Sequence, residues 1–276
     1  MSEPATTLET SSVRASLAYA APGGDKYYYE LATPGSEGRN RGSGSAQHEM
    51  TVFDGRAWPE AISLDVHGFE LRHSPLPTID FLDAASVTRL YYPVMADLAE
   101  RCTGASRIHI FDHTVRHGDP DVRRSTGLKP PARGVHNDYT HWSARKRVRD
   151  LLPDEVDELL DRRFAIIQAW RPIGRPIESD PIAIADARTV TADDLVPVPR
   201  TAPGRVGETW RALYSPRHQF FYYPFMAPDE VLFFKVYDST TDGRARYTLH
   251  TAFELPEPRA DAAPRHSCEM RLFAFY

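Results

Sequence analysis

Cysteine and lysine are both scarce in this 276-residue chain, and each scarcity removes a class of protein. Cysteine occurs only as Cys102 and Cys268, too few for a disulfide framework or a four-thiolate zinc site. Lysine supplies four of the 33 cationic residues (Lys26, Lys129, Lys146, Lys235), and 38 acidic residues bring the formal net charge to −5. With no cationic surplus to neutralise phosphates, a nucleic-acid binder is not expected. No run of 18 or more apolar residues occurs, so no membrane span is expected. A charged stretch followed by an apolar one is also missing at the N-terminus. No secretory leader is therefore expected, and the location expected is cytoplasmic.

What is present reads as one globular domain. Residues 1–48 are rich in Gly, Ser, Ala and Thr and end in GSEGRNRGSGSAQ. They are expected to be flexible or lid-like, with Tyr27, Tyr28 and Tyr29 as their aromatic content. Ordered structure is expected from about Thr51, in a single domain over 49–276. The segment SVTRLYYPVMADLAERCTG predicts a helix with Asp83 or Ser86 as N-cap and Gly104 as its stop. Leu90, Val94, Leu98 and Cys102 recur at steps of four, and Pro93 marks a kink or the true start.

Residues 107–113 alternate as a strand. A polar loop over 116–134 follows, and then two short helices near 143–152 and 153–162. The remainder is a series of short aromatic and β-branched runs: FAIIQAW, PIAIAD, ETWRALY, QFFYYPF, EVLFFKVYD, YTLHTAF and EMRLFAFY. Runs this short and this dense predict an antiparallel sandwich or barrel with flanking helices.

The chemistry centres on His136-Asn137-Asp138. Alternate residues of an extended segment share a face, so the imidazole and carboxylate point the same way. His250, in another strand-like run, offers a third ligand; His109, His113 and His141 are rival donors. Two imidazoles and one carboxylate suit non-haem Fe(II) and leave three positions open. Arg265-x-Ser267 follows, where a guanidinium fork and a hydroxyl can hold a carboxylate. The order HxD, His, RxS is the arrangement of Fe(II)/2-oxoglutarate oxygenases on a double-stranded β-helix.

Several blocks then match one family in order: DGR at 54–56, LDVHGFEL, YYP at 91–93, TGASRIHIFDHTVR, RFAIIQAWRPI, GETWRALYSPRHQFFYYPFMAPDEVLFFKVYDS and PRHSCEMRLFAFY. From about Thr51 to Tyr276 the chain resembles the oxygenase family of gibberellin desaturase. That family also holds the fungal aspergillic-acid-type hydroxylase/desaturases, the cephamycin-methoxylation-associated protein and fungal aziridine-forming enzymes. The resemblance implies a mainly β, jelly-roll (cupin-like) core, with Fe(II) at His136, Asp138 and His250. It also implies 2-oxoglutarate at Arg265 and Ser267, O2 as co-substrate, and a small secondary-metabolite or amino-acid-derived substrate. Where the family usually has Asn two residues before WRP, this chain has Gln168, which keeps an amide but lengthens it.

Three further residues are substrate candidates. Arg171 could enter the barrel toward an anionic group, or pair with an acid such as Asp186. Gln168 could meet substrate through its amide. Lys235, inside an apolar strand, either faces inward to a carboxylate or outward. Arg123-Arg124 and Arg145-Lys146-Arg147 are expected as solvated faces, and Cys268 as core. Two other functions fit parts of the pattern. A metal-dependent cupin-like isomerase or hydrolase would need the triad but not Arg265-x-Ser267, and a non-catalytic jelly-roll binding module would need neither.

Overall fold

The short aromatic runs form two β-sheets packed face to face in the computed structural model, which describes residues 11–21, 28–30, 39–41, 44–202 and 205–276. In chain order the strands are β1 (Ser12–Ala20), β2 (Tyr28–Glu30), β3 (Arg39–Arg41), β4 (Ser45–Asp54), β5 (Phe69–His73), β6 (Arg107–His117), β7 (His136–Asn137), β8 (Phe164–Pro172), β9 (Ile182–Ala185), β10 (Leu195–Ala202), β11 (Arg205–Ala212), β12 (Phe220–Tyr222), β13 (Glu230–Asp238), β14 (His250–Ala252) and β15 (His266–Phe275). The larger sheet runs β1-β4-β12-β9-β14-β7-β11-β10-β2-β3, and the smaller runs β5-β13-β8-β15-β6. Between them lie Ile182, Ile184 and Phe221 from one sheet and Phe164, Ile166, Phe234 and Phe273 from the other. The architecture is the jelly roll expected from the sequence.

Helices α1 (Ala84–Ser86), α2 (Tyr92–Thr103), α3 (Pro120–Thr126), α4 (His141–Leu151) and α5 (Val156–Asp161) flank the sheets. Asp83 caps α1, its carboxylate accepting from the amides of Ala85 and Ser86, and Gly104 ends α2 at φ 68°. The buried stripe of this helical region differs from the expected one. Val87, Tyr91, Met95 and Ala99 are the residues fully buried, against Ile167, Ala169 and Met270 on the outer face of the smaller sheet. A π-helical turn over Val87–Tyr91 precedes Pro93 and inserts one residue, which rotates the apolar face away from the simple four-step count.

Ordered structure begins well before Thr51. Strand β1 pairs antiparallel with β4 from Ser12↔Phe53 to Ala20↔Ser45, and it buries Ala15, Leu17 and Tyr19. Its alternation was masked by the small residues between the large ones, so residues 12–20 belong to the sheet and not to a lid. Tyr27 lies outside the described residues, while Tyr28 and Tyr29 belong to β2, which pairs parallel with β10. Removing residues 1–24 should therefore destabilise the protein: burial of Leu17 and Tyr19 alone is worth roughly 3–6 kcal/mol. Urea denaturation checks this, and a truncated chain with an unchanged midpoint would contradict it.

The loop over 116–134 is also more regular than expected. It contains α3 and is tied down by the amide of Gly118 on the Arg265 carbonyl (2.7 Å) and the amide of Ala252 on the Ala132 carbonyl (2.8 Å). Arg133 pairs with both Asp180 and Glu254.

Two substrate candidates are placed elsewhere by strand alternation. On β8, Ile166, Gln168 and Trp170 face the interior, whereas Ala165, Ile167, Ala169 and Arg171 face α2. Arg171 donates to the carbonyls of Ser74 (2.9 Å) and Pro228 and lies 5.5 Å from the centre of the Tyr91 ring. It meets neither the cavity nor Asp186, which pairs with Arg188. Lys235 likewise points away from the cavity: its Nζ donates to Asp65 (2.8 Å), Asp238 (3.0 Å) and the Ala245 carbonyl (3.0 Å). Both cations are structural, their desolvation offset by fixed acceptors. Lys235→Ala should cost about 3–5 kcal/mol, because Asp238 is fully buried and would keep only Arg163 as a cationic partner. A loss below about 1 kcal/mol in chemical denaturation would contradict that role.

Candidate active site

Three strands and one turn bring the predicted ligands together. β7 is two residues long and sits between β14 and β11, with His136 paired to both His250 and Arg211. Asn137 turns the other way, its amide donating to the carbonyls of Tyr139 (2.7 Å) and Val236 (2.9 Å), and this anchors the turn that presents Asp138. His136, Asp138 and His250 each offer one ligand atom, and these atoms lie within 4.8 Å of one another. Among the described residues no other histidine joins them: His113 bonds Tyr92, His109 stacks on Phe273, and His141 lies among Trp210, Tyr237 and Tyr247.

Each ligand is prepared by its neighbours. His136 uses Nδ1 on the Gly134 carbonyl (2.7 Å), which leaves Nε2 to face Asp138 Oδ1 at 3.3 Å. Burial, with the adjacent His136, pushes His250 down to about 3, so its imidazole is neutral at physiological pH. Its Nδ1 is buried with no partner among the described residues. Burial works against the Asp138 carboxylate, but Arg271 and the two histidines hold its pKa well below the usual range. Two imidazoles and an ionised carboxylate form a donor set that fits a divalent metal of the non-haem Fe(II) type.

Strand β15 supplies the opposite wall. Arg265, just before it, and then Ser267, Glu269 and Arg271 follow at period two toward the interior, while Cys268, Met270 and Leu272 pack under α2. Arg265 is 3% exposed and makes no ion pair among the described residues. Its Nε donates to Ser267 Oγ (2.9 Å), its Nη1 to the Asp180 carbonyl (3.0 Å), and its guanidinium lies 4.8 Å from the Trp170 ring centre. Burial, then the charge of Arg116, lowers it to about 9. A buried guanidinium held in place without a counter-ion could receive a carboxylate.

One cavity joins these groups. His136, Asp138 and His250 line it together with Arg265, Gln168, Arg116, Glu269 and Arg271, and Trp170, Ile182 and Phe234 form its apolar wall. Gln168 reaches Asp138 rather than open space, its Nε2 donating to Oδ2 at 2.7 Å. Arg116 and Glu269 were not singled out from the sequence, although the RxSxExR alternation carried the signal for Glu269. Arg147 is no solvated charge either: it lies over the Phe111 ring at 5.2 Å and 3.9 Å from Asp112.

The family comparisons agree with this geometry. A family model described as "Oxidoreductase/YMDC permease-like domain" matches residues 17–275. "Hydroxylase/desaturase efuI" of Hormonema carpetanum is 32% identical over 278 residues, covering 91% of this chain and 93% of the relative. "Fe(II)/2-oxoglutarate-dependent dioxygenase nvfI" of Aspergillus novofumigatus is 30% identical over 260 residues, with 90% of each chain covered. The solved structure of the iron and alpha-ketoglutarate-dependent endoperoxidase NvfI superposes with a TM-score of 0.82 at 26% identity, covering 96% of this chain and 98% of that one. The chain belongs to this family, the Fe(II)/2-oxoglutarate-dependent oxygenases of the hydroxylase/desaturase group.

Proposed function

We propose that His136, Asp138 and His250 hold Fe(II), and that Arg265 with Ser267 holds the distal carboxylate of 2-oxoglutarate. The substrate is a small secondary-metabolite or amino-acid-derived molecule, which the enzyme hydroxylates, desaturates or cyclises oxidatively. The observation that carries this reading is the counter-ion-free Arg265 in the same cavity as the His/Asp/His cluster. A cupin-like hydrolase or isomerase would have no use for that buried cation. When bound, Fe(II) with 2-oxoglutarate and O2 supplies the oxidising power to take hydrogen from an unactivated C–H bond, as 2-oxoglutarate leaves as succinate and CO2.

The chain's own residues supply geometry. His136 Nε2 and Asp138 Oδ1 face one point, and neutral His250 offers a lone pair at neutral pH. Ser267 and the Asp180 carbonyl fix the guanidinium of Arg265 before any ligand arrives, so little order remains to be gained on binding. Trp170, Phe234 and Ile182 exclude water from the reacting face. Free Cys102 and Cys268 are compatible with a reducing cytoplasm.

The test is succinate formation by the iron-loaded protein in air, with 2-oxoglutarate and a panel of small amino-acid-derived and polyketide- or terpene-like compounds. At least one compound should raise succinate above the substrate-free rate and itself gain oxygen or lose hydrogen. Product formation that does not consume 2-oxoglutarate would contradict the reading.

A further inference from the structure

The iron reading above leaves open how Asp138 is kept from turning both of its oxygens to the metal. We propose that Gln168 and Arg271 are positioning residues that hold Asp138 as a one-oxygen ligand, with a charged chain through Glu269 and Arg116 locking Arg271 in place. Both donors converge on the same oxygen: Gln168 Nε2 lies 2.7 Å and Arg271 Nε 2.8 Å from Asp138 Oδ2. The other oxygen, Oδ1, is left facing His136 Nε2.

The backbone explains the convergence, since Gln168 on β8 and Arg271 on β15 are direct cross-strand partners whose side chains stand together on the inner face. The terminal torsion of an aspartate is broad, so an unrestrained carboxylate can offer either oxygen or both. Two donors on one oxygen remove that freedom. An ionised carboxylate only accepts, so the contact also fixes which end of the Gln168 amide points at Asp138. A carboxylate using both oxygens would occupy a fourth metal position, whereas the facial arrangement works by leaving three open.

Arg271 is itself immobilised. Its Nη1 donates to Asp112 (3.1 Å) and its Nη2 to Glu269 (2.6 Å). Glu269 in turn accepts two bonds from Arg116 (2.9 and 2.8 Å), whose Nη1 donates to the Pro130 carbonyl (2.9 Å). With three carboxylates around it, this guanidinium has no vacant direction in which to serve as a ligand anchor. Its role is exerted through Asp138.

Anaerobic titration of the apo full-length chain with Co(II), read by visible absorption and affinity, tests the inference without any substrate. Gln168→Met should weaken Co(II) binding at least about tenfold and change the absorption envelope, with thermal unfolding close to wild type. Arg271→Lys should do the same, because an ammonium group cannot span three carboxylates with a planar fork. Should Arg271→Lys fail to fold, Gln168→Met decides alone, since it swaps a neutral side chain for one of similar length. Wild-type affinity and spectrum in Gln168→Met would overturn the inference. Asp138→Ala is the control: if it too binds Co(II) like the wild type, the iron site itself is misassigned. Loss in Asp138→Ala with no change in Gln168→Met refutes the positioning role alone.

Discussion

Asp138→Ala is expected to abolish stoichiometric Fe(II) binding and to leave the fold standing. The loss follows from the donor count: with the carboxylate gone, two imidazoles remain, and no anionic ligand offsets the metal's charge. Folding survives because Arg271 keeps Asp112 and Glu269 as partners, so no buried cation is stranded. What is stranded is the Gln168 amide, at a cost of about 1–3 kcal/mol. Iron analysis after desalting, beside near-ultraviolet circular dichroism, separates the two effects. Unchanged iron content in a folded variant would remove Asp138 from the metal site.

Arg265→Ala carries the next largest effect. Truncating one member of a buried charge pair strands the other, typically at 2–5 kcal/mol or more, so the 2-oxoglutarate concentration required should rise by at least about tenfold. Fe(II) binding should persist, because Arg265 bonds Ser267 and a carbonyl and touches no metal ligand. Arg271 makes the informative contrast. It lies six residues further along the same strand face but is saturated by Asp138, Asp112 and Glu269, so substitutions there should disturb metal binding first. If Arg271 variants raised the 2-oxoglutarate requirement while Arg265→Ala left it unchanged, the two arginines would have to exchange roles.

The parts of the structure that sequence made legible are those that depend on local rules. The HxD spacing, the lone strand histidine near the end and RxS on the last strand each specify a face, and the fold brings those faces into one cavity. Alternation could choose neither which face of β8 turns inward, where Gln168 and Trp170 line the cavity, nor the register of Lys235. That strand is buried on both faces and bulges between Lys235 and Tyr237, so period two loses its meaning there. Arg171 followed the opposite register from the one that would have carried it into the barrel, and two backbone carbonyls, not a carboxylate, receive it. The N-terminal strand was missed because alanine and serine gave it the composition of a linker, and its burial comes from pairing with β4, from Ser12↔Phe53 to Ala20↔Ser45, far along the chain. The Arg116–Glu269–Arg271–Asp138 chain joins β6, β15 and the turn after β7. Contacts of that separation have no signature in spacing, although the alternating charges of β15 pointed at half of it.

Anaerobic equilibrium dialysis of labelled 2-oxoglutarate against the full-length chain tests the central claim most directly, because it needs no knowledge of the substrate. With one equivalent of Fe(II) present, the wild type should retain one equivalent of 2-oxoglutarate. Binding should fall at least about tenfold in affinity in Arg265→Ala, where the buried charge partner is gone, and weaken sharply in Asp138→Ala, where the metal is gone. An iron-loaded wild type that retains no 2-oxoglutarate, or that retains it equally well in both variants, would contradict the account.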